Sequence, residues 1–71
     1  MIMEHEVHDL INYFIGKHNK NPTAINAGYL AAMAMGDFAG TAYMQQGLFL
    51  RTPYAWLPIV MTGSGSEWSI E

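Results

Sequence analysis

The chain of 71 residues is 51% hydrophobic and only 13% charged, with a formal net charge of −3. High apolar content with low charge excludes intrinsic disorder. Three scattered cations (Lys17, Lys20 and Arg51) are too few to neutralise the phosphates of a nucleic acid, so neither nucleic-acid binding nor a DNA-mimic role is expected.

The length and the cysteine count limit the number of domains and the kinds of cross-link that the chain can have. We expect residues 1–71 to form a single α+β domain of marginal stability, because small domains bury little surface. The chain has no cysteine, which excludes disulfides and thiolate metal sites and favours a cytoplasmic location. No signal peptide and no membrane span are expected, since no apolar run approaches about 20 residues.

The first predicted element is an amphipathic helix from about Glu4 to Lys17. Its apolar residues follow the period of a helix; they are Val7, Leu10, Ile11, Phe14 and Ile15. Pro22 cannot continue a helix, so the helix must end before it.

The middle of the chain predicts an extended segment and then a second helix. Residues 22–27 are interpreted as an extended connector or short strand. Residues 28–36 are rich in alanine, leucine and methionine, which are good helix formers, and Gly36 is expected to cap this helix at its C-terminus.

The second half predicts three strands, over residues 43–51, 54–62 and 67–71, because it is rich in aromatic and β-branched residues. Residues 63–66 (Gly-Ser-Gly-Ser) are interpreted as a hairpin loop. The predicted architecture is two N-terminal helices packed on one face of a small three-stranded antiparallel sheet. Four residues are predicted to lie in its core, namely Leu10, Phe14, Ile59 and Trp68.

Chemical motifs are weak, so no catalytic residue, metal ligand or cofactor is predicted. His5 and His8 lie on one helix face but lack further committed ligands. The loop at 63–66 lacks the lysine and the following helix of a phosphate-binding loop. An alternative remains, in which His5, His8 and Asp37 meet at an oligomer interface to form a small-molecule site or an active site.

Aromatic and methionine residues indicate a binding role, because both types are enriched in the cores of protein interfaces. We predict a non-enzymatic protein that binds a protein partner or itself, as a twofold dimer formed through the helix at 29–35 or the aromatic sheet half. The candidate interface residues are Tyr29, Met33, Met35, Tyr43, Tyr54 and Trp56.

Two segments resemble a pattern in the major capsid proteins of tailed phages. Residues 21–25 (Asn-Pro-Thr-Ala-Ile) are similar to an extended piece in those proteins. Residues 56–62 (Trp-Leu-Pro-Ile-Val-Met-Thr) are similar to a later strand, although Trp56 replaces a glycine of that pattern. The resemblance covers about half of the chain and implies a small phage or prophage-encoded protein.

Overall fold

A computed structural model describes residues 2–71 and contains two helices and five strands. In chain order the elements are α1 (Glu4–His18), β1 (Ile25–Gly28), α2 (Tyr29–Gly36), β2 (Thr41–Met44), β3 (Gly47–Arg51), β4 (Trp56–Gly63) and β5 (Trp68–Ile70). The coarse prediction of a small α+β fold with two helices is confirmed.

Helix α1 forms where its period predicts, and charges at its ends favour it. Glu4 and Glu6 lie in the first turn, while Lys17 and His18 lie in the last turn, which suits the helix dipole. The helix ends at Asn19, whose backbone is left-handed (φ 55°) and whose N–H donates to the carbonyl of Ile15 at 2.8 Å.

The sheet differs from the predicted meander in the number and direction of its strands. Its order is β2-β3-β4-β1-β5, and β1 runs parallel to β4 while all other neighbours are antiparallel. Residues 43–51 do not form one strand, because Gln45 and Gln46 make a turn and Gly47 has a φ of +131°. That conformation suits glycine, so the segment folds back as the β2–β3 hairpin.

Strands β4 and β5 are not neighbours, so the prediction of a simple hairpin loop at 63–66 was wrong. Strand β1 lies between them, and the loop crosses the end of β1. There it caps α2, since the carbonyl of Gly65 accepts the N–H of Leu30 at 2.9 Å. Gly28 donates to the carbonyl of Glu67 at 2.8 Å. The short loop therefore contributes to the start of α2 as well as to chain reversal.

Both helices cover the same face of the sheet, with α1 against β5 and α2 against β1 and β4. The core between the layers consists of Val7, Ile11, Ile25, Ala27, Ala31, Ala32, Met35, Leu50, Leu57 and Ile59.

Of the predicted core residues, Ile59 is buried, and Phe14 and Trp68 are half-buried. Leu10 is 45% exposed and does not belong to the core. Val7 and Ile11 direct α1 towards the sheet, which leaves Leu10 on the flank of the helix.

The prediction for Gly36 was also wrong. It is the last residue of α2 rather than a left-handed cap, and Asp37 follows it with an ordinary φ of −86°. The carbonyl of Ala34 accepts the N–H of Asp37 at 3.2 Å, and the carbonyl of Met35 accepts the N–H of Phe38 at 3.1 Å, which closes the helix without a glycine conformation.

Candidate protein-interaction surface

Alternation along the strands divides the sheet into a covered face and an uncovered one. Leu57 and Ile59 of β4 point towards the helices and are buried. Pro58 lies between them in sequence and therefore points to the opposite face. Phe49 pairs with Pro58 across β3 and β4, so the two side chains lie next to each other on that face.

Large apolar side chains occupy this second face across β2, β3 and β4. We call this set the uncovered sheet face; it consists of Met44, Phe49, Trp56, Pro58 and Val60. Trp56 is 45% exposed, Val60 43% and Met44 37%. No helix among residues 2–71 covers them, since both pack on the other side.

Polar residues lie at one corner of the uncovered sheet face and along its β1 side. Arg51 pairs with Trp56 at one corner of this face. It is the only charged residue of β2, β3 and β4. On the side of β1 and β5, Asn26 pairs with Val60 and with Ser69. An apolar centre with a polar rim is the usual composition of a protein interface.

A tight turn at residues 52–55 fixes the start of β4, where Trp56 lies. Thr52 is 7% exposed, and its hydroxyl donates to the carbonyl of Ala55 and accepts the N–H of the same residue. Burial raises the pKa of the neighbouring Tyr54, and a hydrogen bond with Thr52 partly opposes that shift. The turn thus fixes the backbone that leads into Trp56.

The structure distributes the six predicted interface residues over different surfaces. Trp56 lies on the uncovered sheet face, and Tyr54 lies in the turn that precedes it. Tyr29 and Met33 lie on the outer face of α2 and are 46% and 54% exposed. Tyr43, which is 77% exposed, lies near the end of α2, where a Cβ added at Gly36 would be 2.9 Å from its hydroxyl oxygen.

Met35 was predicted to lie at a partner interface, and this is corrected. Its side chain has no exposed surface and packs in the core between α2 and the sheet. Met33 and Met35 are two residues apart, which places them on opposite sides of a helix, so only Met33 is available to a partner.

Sequence reasoning did not include four residues of the uncovered sheet face among its candidates. They are Met44, Phe49, Pro58 and Val60. The signal was the alternation in β4, because Leu57 and Ile59 point inward and Pro58 and Val60 must then point outward. Since residues 56–60 are all apolar, both faces of this part of β4 are hydrophobic.

The histidines and acids contribute local contacts rather than a metal site. His8 Nε2 lies 3.6 Å from Glu4 Oε2, and the same carboxylate accepts the N–H of Gly40 at 3.1 Å. Glu4 and Asp37 line a mainly apolar groove of about 340 Å³, whereas His5 is exposed and does not line it. Within residues 2–71 no three histidine or acidic side chains gather closely enough to hold a metal ion.

No protein-family model, curated protein or solved structure matches this chain. The resemblance to tailed-phage capsid proteins therefore stays a prediction. Its two segments are adjacent in the fold, because Ile25 of the first pairs with Ile59 of the second in parallel strands. Among residues 2–71, neither helix combines the length and the apolar character needed to span a membrane.

Proposed function

We propose that this chain is a non-enzymatic accessory domain that binds another protein through the uncovered sheet face. The observation that carries the proposal is the accumulation of Phe49, Trp56 and Val60 on a face that neither helix covers. In a two-layer domain that face is normally polar, because water is its only neighbour. A contiguous apolar patch with a polar rim marks an interaction site.

Arg51 and the turn that carries Tyr54 indicate what the partner would present. Tryptophan, tyrosine and arginine are the residues that most often dominate binding energy. A flat apolar surface with an acidic group facing Arg51 would complement this arrangement. The capsid-like segments extend the proposal to a phage or prophage-encoded regulator, inhibitor or minor structural component acting in the cytoplasm.

The experiment compares which proteins the tagged chain and two of its surface variants capture from a host lysate. Val60→Lys places a charge on the uncovered sheet face, while Met33→Lys places the same charge on the outer face of α2. Both residues are about half exposed, so both variants should fold, which circular dichroism checks.

We expect a stoichiometric partner to be captured by the parent and by Met33→Lys, and to be lost from Val60→Lys. Binding should then be repeated with the purified partner to exclude indirect capture. Equal binding by parent and Val60→Lys, or loss with Met33→Lys alone, would contradict the proposed surface. Capture of no protein but the chain itself, unchanged by Val60→Lys, would contradict the proposed function.

A further inference from the structure

Strand β5 ends the sheet formed by residues 2–71, and within this range one of its backbone edges has no neighbouring strand. Glu71 donates its N–H to Ala24 at 2.9 Å, and the carbonyl of Glu67 accepts the N–H of Gly28 at 2.8 Å. The odd-numbered residues of this segment therefore bond to β1. In an antiparallel pair the alternate residues point their N–H and C=O groups away, so those of Trp68 and Ile70 point outward.

An apolar groove runs beside this edge, between α1 and β5. Its lining includes Leu10, Tyr13 and Lys17 of α1 and Trp68, Ser69 and Ile70 of β5. Leu10 is 45% exposed and Tyr13 is 62% exposed. Backbone groups that can pair and apolar side chains that can be buried are thus available side by side.

The outer flank of α1 carries a stripe whose charge pattern is complementary to itself. Glu6, Leu10, Tyr13 and Lys17 follow at intervals of four, three and four residues, so they lie on one face of the helix. The stripe is acidic at one end, apolar in the middle and basic at the other end. When two such helices lie antiparallel, Glu6 of each faces Lys17 of the other, and Leu10 faces Tyr13.

We propose that a second copy of this chain pairs with β5 across a twofold axis and continues the sheet to ten strands. Antiparallel pairing of the two β5 strands near Ser69 places both α1 helices on the same face, side by side and antiparallel. The twofold axis that pairs the outward backbone N–H and C=O groups of Trp68 and Ile70 also brings the two α1 stripes together. This dimer leaves the uncovered sheet face accessible, so it is independent of the proposed function.

The test measures the mass of the full chain by sedimentation equilibrium over a wide concentration range. We expect the parent to approach twice its monomer mass of 7.9 kDa. Lys17→Glu should weaken the dimer about tenfold, because two ion pairs become repulsive contacts. The double variant Glu6→Lys with Lys17→Glu restores opposite charges across the axis and should recover the dimer.

A second pair of variants tests the edge itself. Ile70→Pro removes an N–H that points away from β1, so it should abolish the dimer without breaking the internal sheet, whereas Ile70→Val should leave the dimer intact. Glu6 also accepts the N–H of Met3 at 2.9 Å, so circular dichroism must show that each variant folds. A parent that stays at 7.9 kDa, or a dimer that survives both Lys17→Glu and Ile70→Pro, would overturn the proposal.

Discussion

The carboxylate of Glu4 accepts a hydrogen bond from the backbone nitrogen of Gly40 at 3.1 Å, across 36 positions of the chain. The contact joins the first turn of α1 to the segment between α2 and β2. A Cβ added at Gly40 would lie 2.6 Å from Glu4 Oε2, so the carboxylate uses the space that glycine leaves. The start of α1 is thereby tied to the segment that follows α2, while the helix packs against β5.

Removing this contact should lower stability, with coupling between the two positions. We expect Glu4→Ala to lower the free energy of unfolding by about 1 kcal/mol, since the hydrogen bond is only partly buried. Gly40→Ala should cost less in the Glu4→Ala background than in the parent, because the clash is with that carboxylate. Urea unfolding measures both effects, and Asp9→Ala, an exposed acid of the same helix, is the control. If the stability costs of Glu4→Ala and Gly40→Ala simply added in the double variant, the contact between Glu4 and Gly40 would be contradicted.

Gly28 and Gly16 should respond in opposite directions to alanine. A Cβ at Gly28 would collide with the carbonyl of Gly65 and lie 2.7 Å from Glu67 Oε1, so we expect a loss of about 1–3 kcal/mol. Gly16 lies inside α1 with nothing within 4 Å of an added Cβ, and Gly16→Ala should stabilise the chain by about 0.5–1 kcal/mol. Thermal melts of both variants measure the contrast. A stable Gly28→Ala would reject the close approach of the loop to α2.

Met33 and Met35 provide a matched pair that tests the orientation of α2. Met35→Ala should cost about 2–5 kcal/mol, because its side chain is fully buried. Met33→Ala removes the same atoms from a side chain that is 54% exposed and should change stability by less than about 0.5 kcal/mol. Chemical denaturation gives both values. Similar costs at the two positions would mean that α2 faces the sheet differently.

Tyr54 should make stability decrease at alkaline pH. Burial, partly opposed by the hydrogen bond with Thr52, raises its pKa above the ordinary 10.0, so the folded chain holds this proton more tightly than the unfolded chain. Its contribution is complete below pH 10 and is lost as the pH rises through the folded pKa. Unfolding by urea between about pH 8 and 11 should therefore show a steeper loss for the parent than for Tyr54→Phe. If the parent and Tyr54→Phe lost stability equally with rising pH, the raised pKa of Tyr54 would be contradicted.

The sequence by itself determined the features that depend on neighbours along the chain. The period of Val7 and Ile11 predicted α1, and Ile59 was correctly predicted to lie in the core. A short extended segment near Ile25 and the helix after it were predicted from composition and turn residues. These predictions succeed because helical and strand periods are local properties of the backbone.

Only the tertiary structure decided which strands pair and which apolar residues remain exposed. Nothing local indicates that Ile25 pairs in parallel with Ile59, 34 positions later, and so separates β4 from β5. Placing β1 in the middle of the sheet turned the loop at 63–66 into a cap for α2. Because both helices then settled on one face, Trp56 and Val60 stayed uncovered while Met35 was buried. Burial is a property of the packed layers, and a pattern of residues cannot specify it before the order of the strands is known.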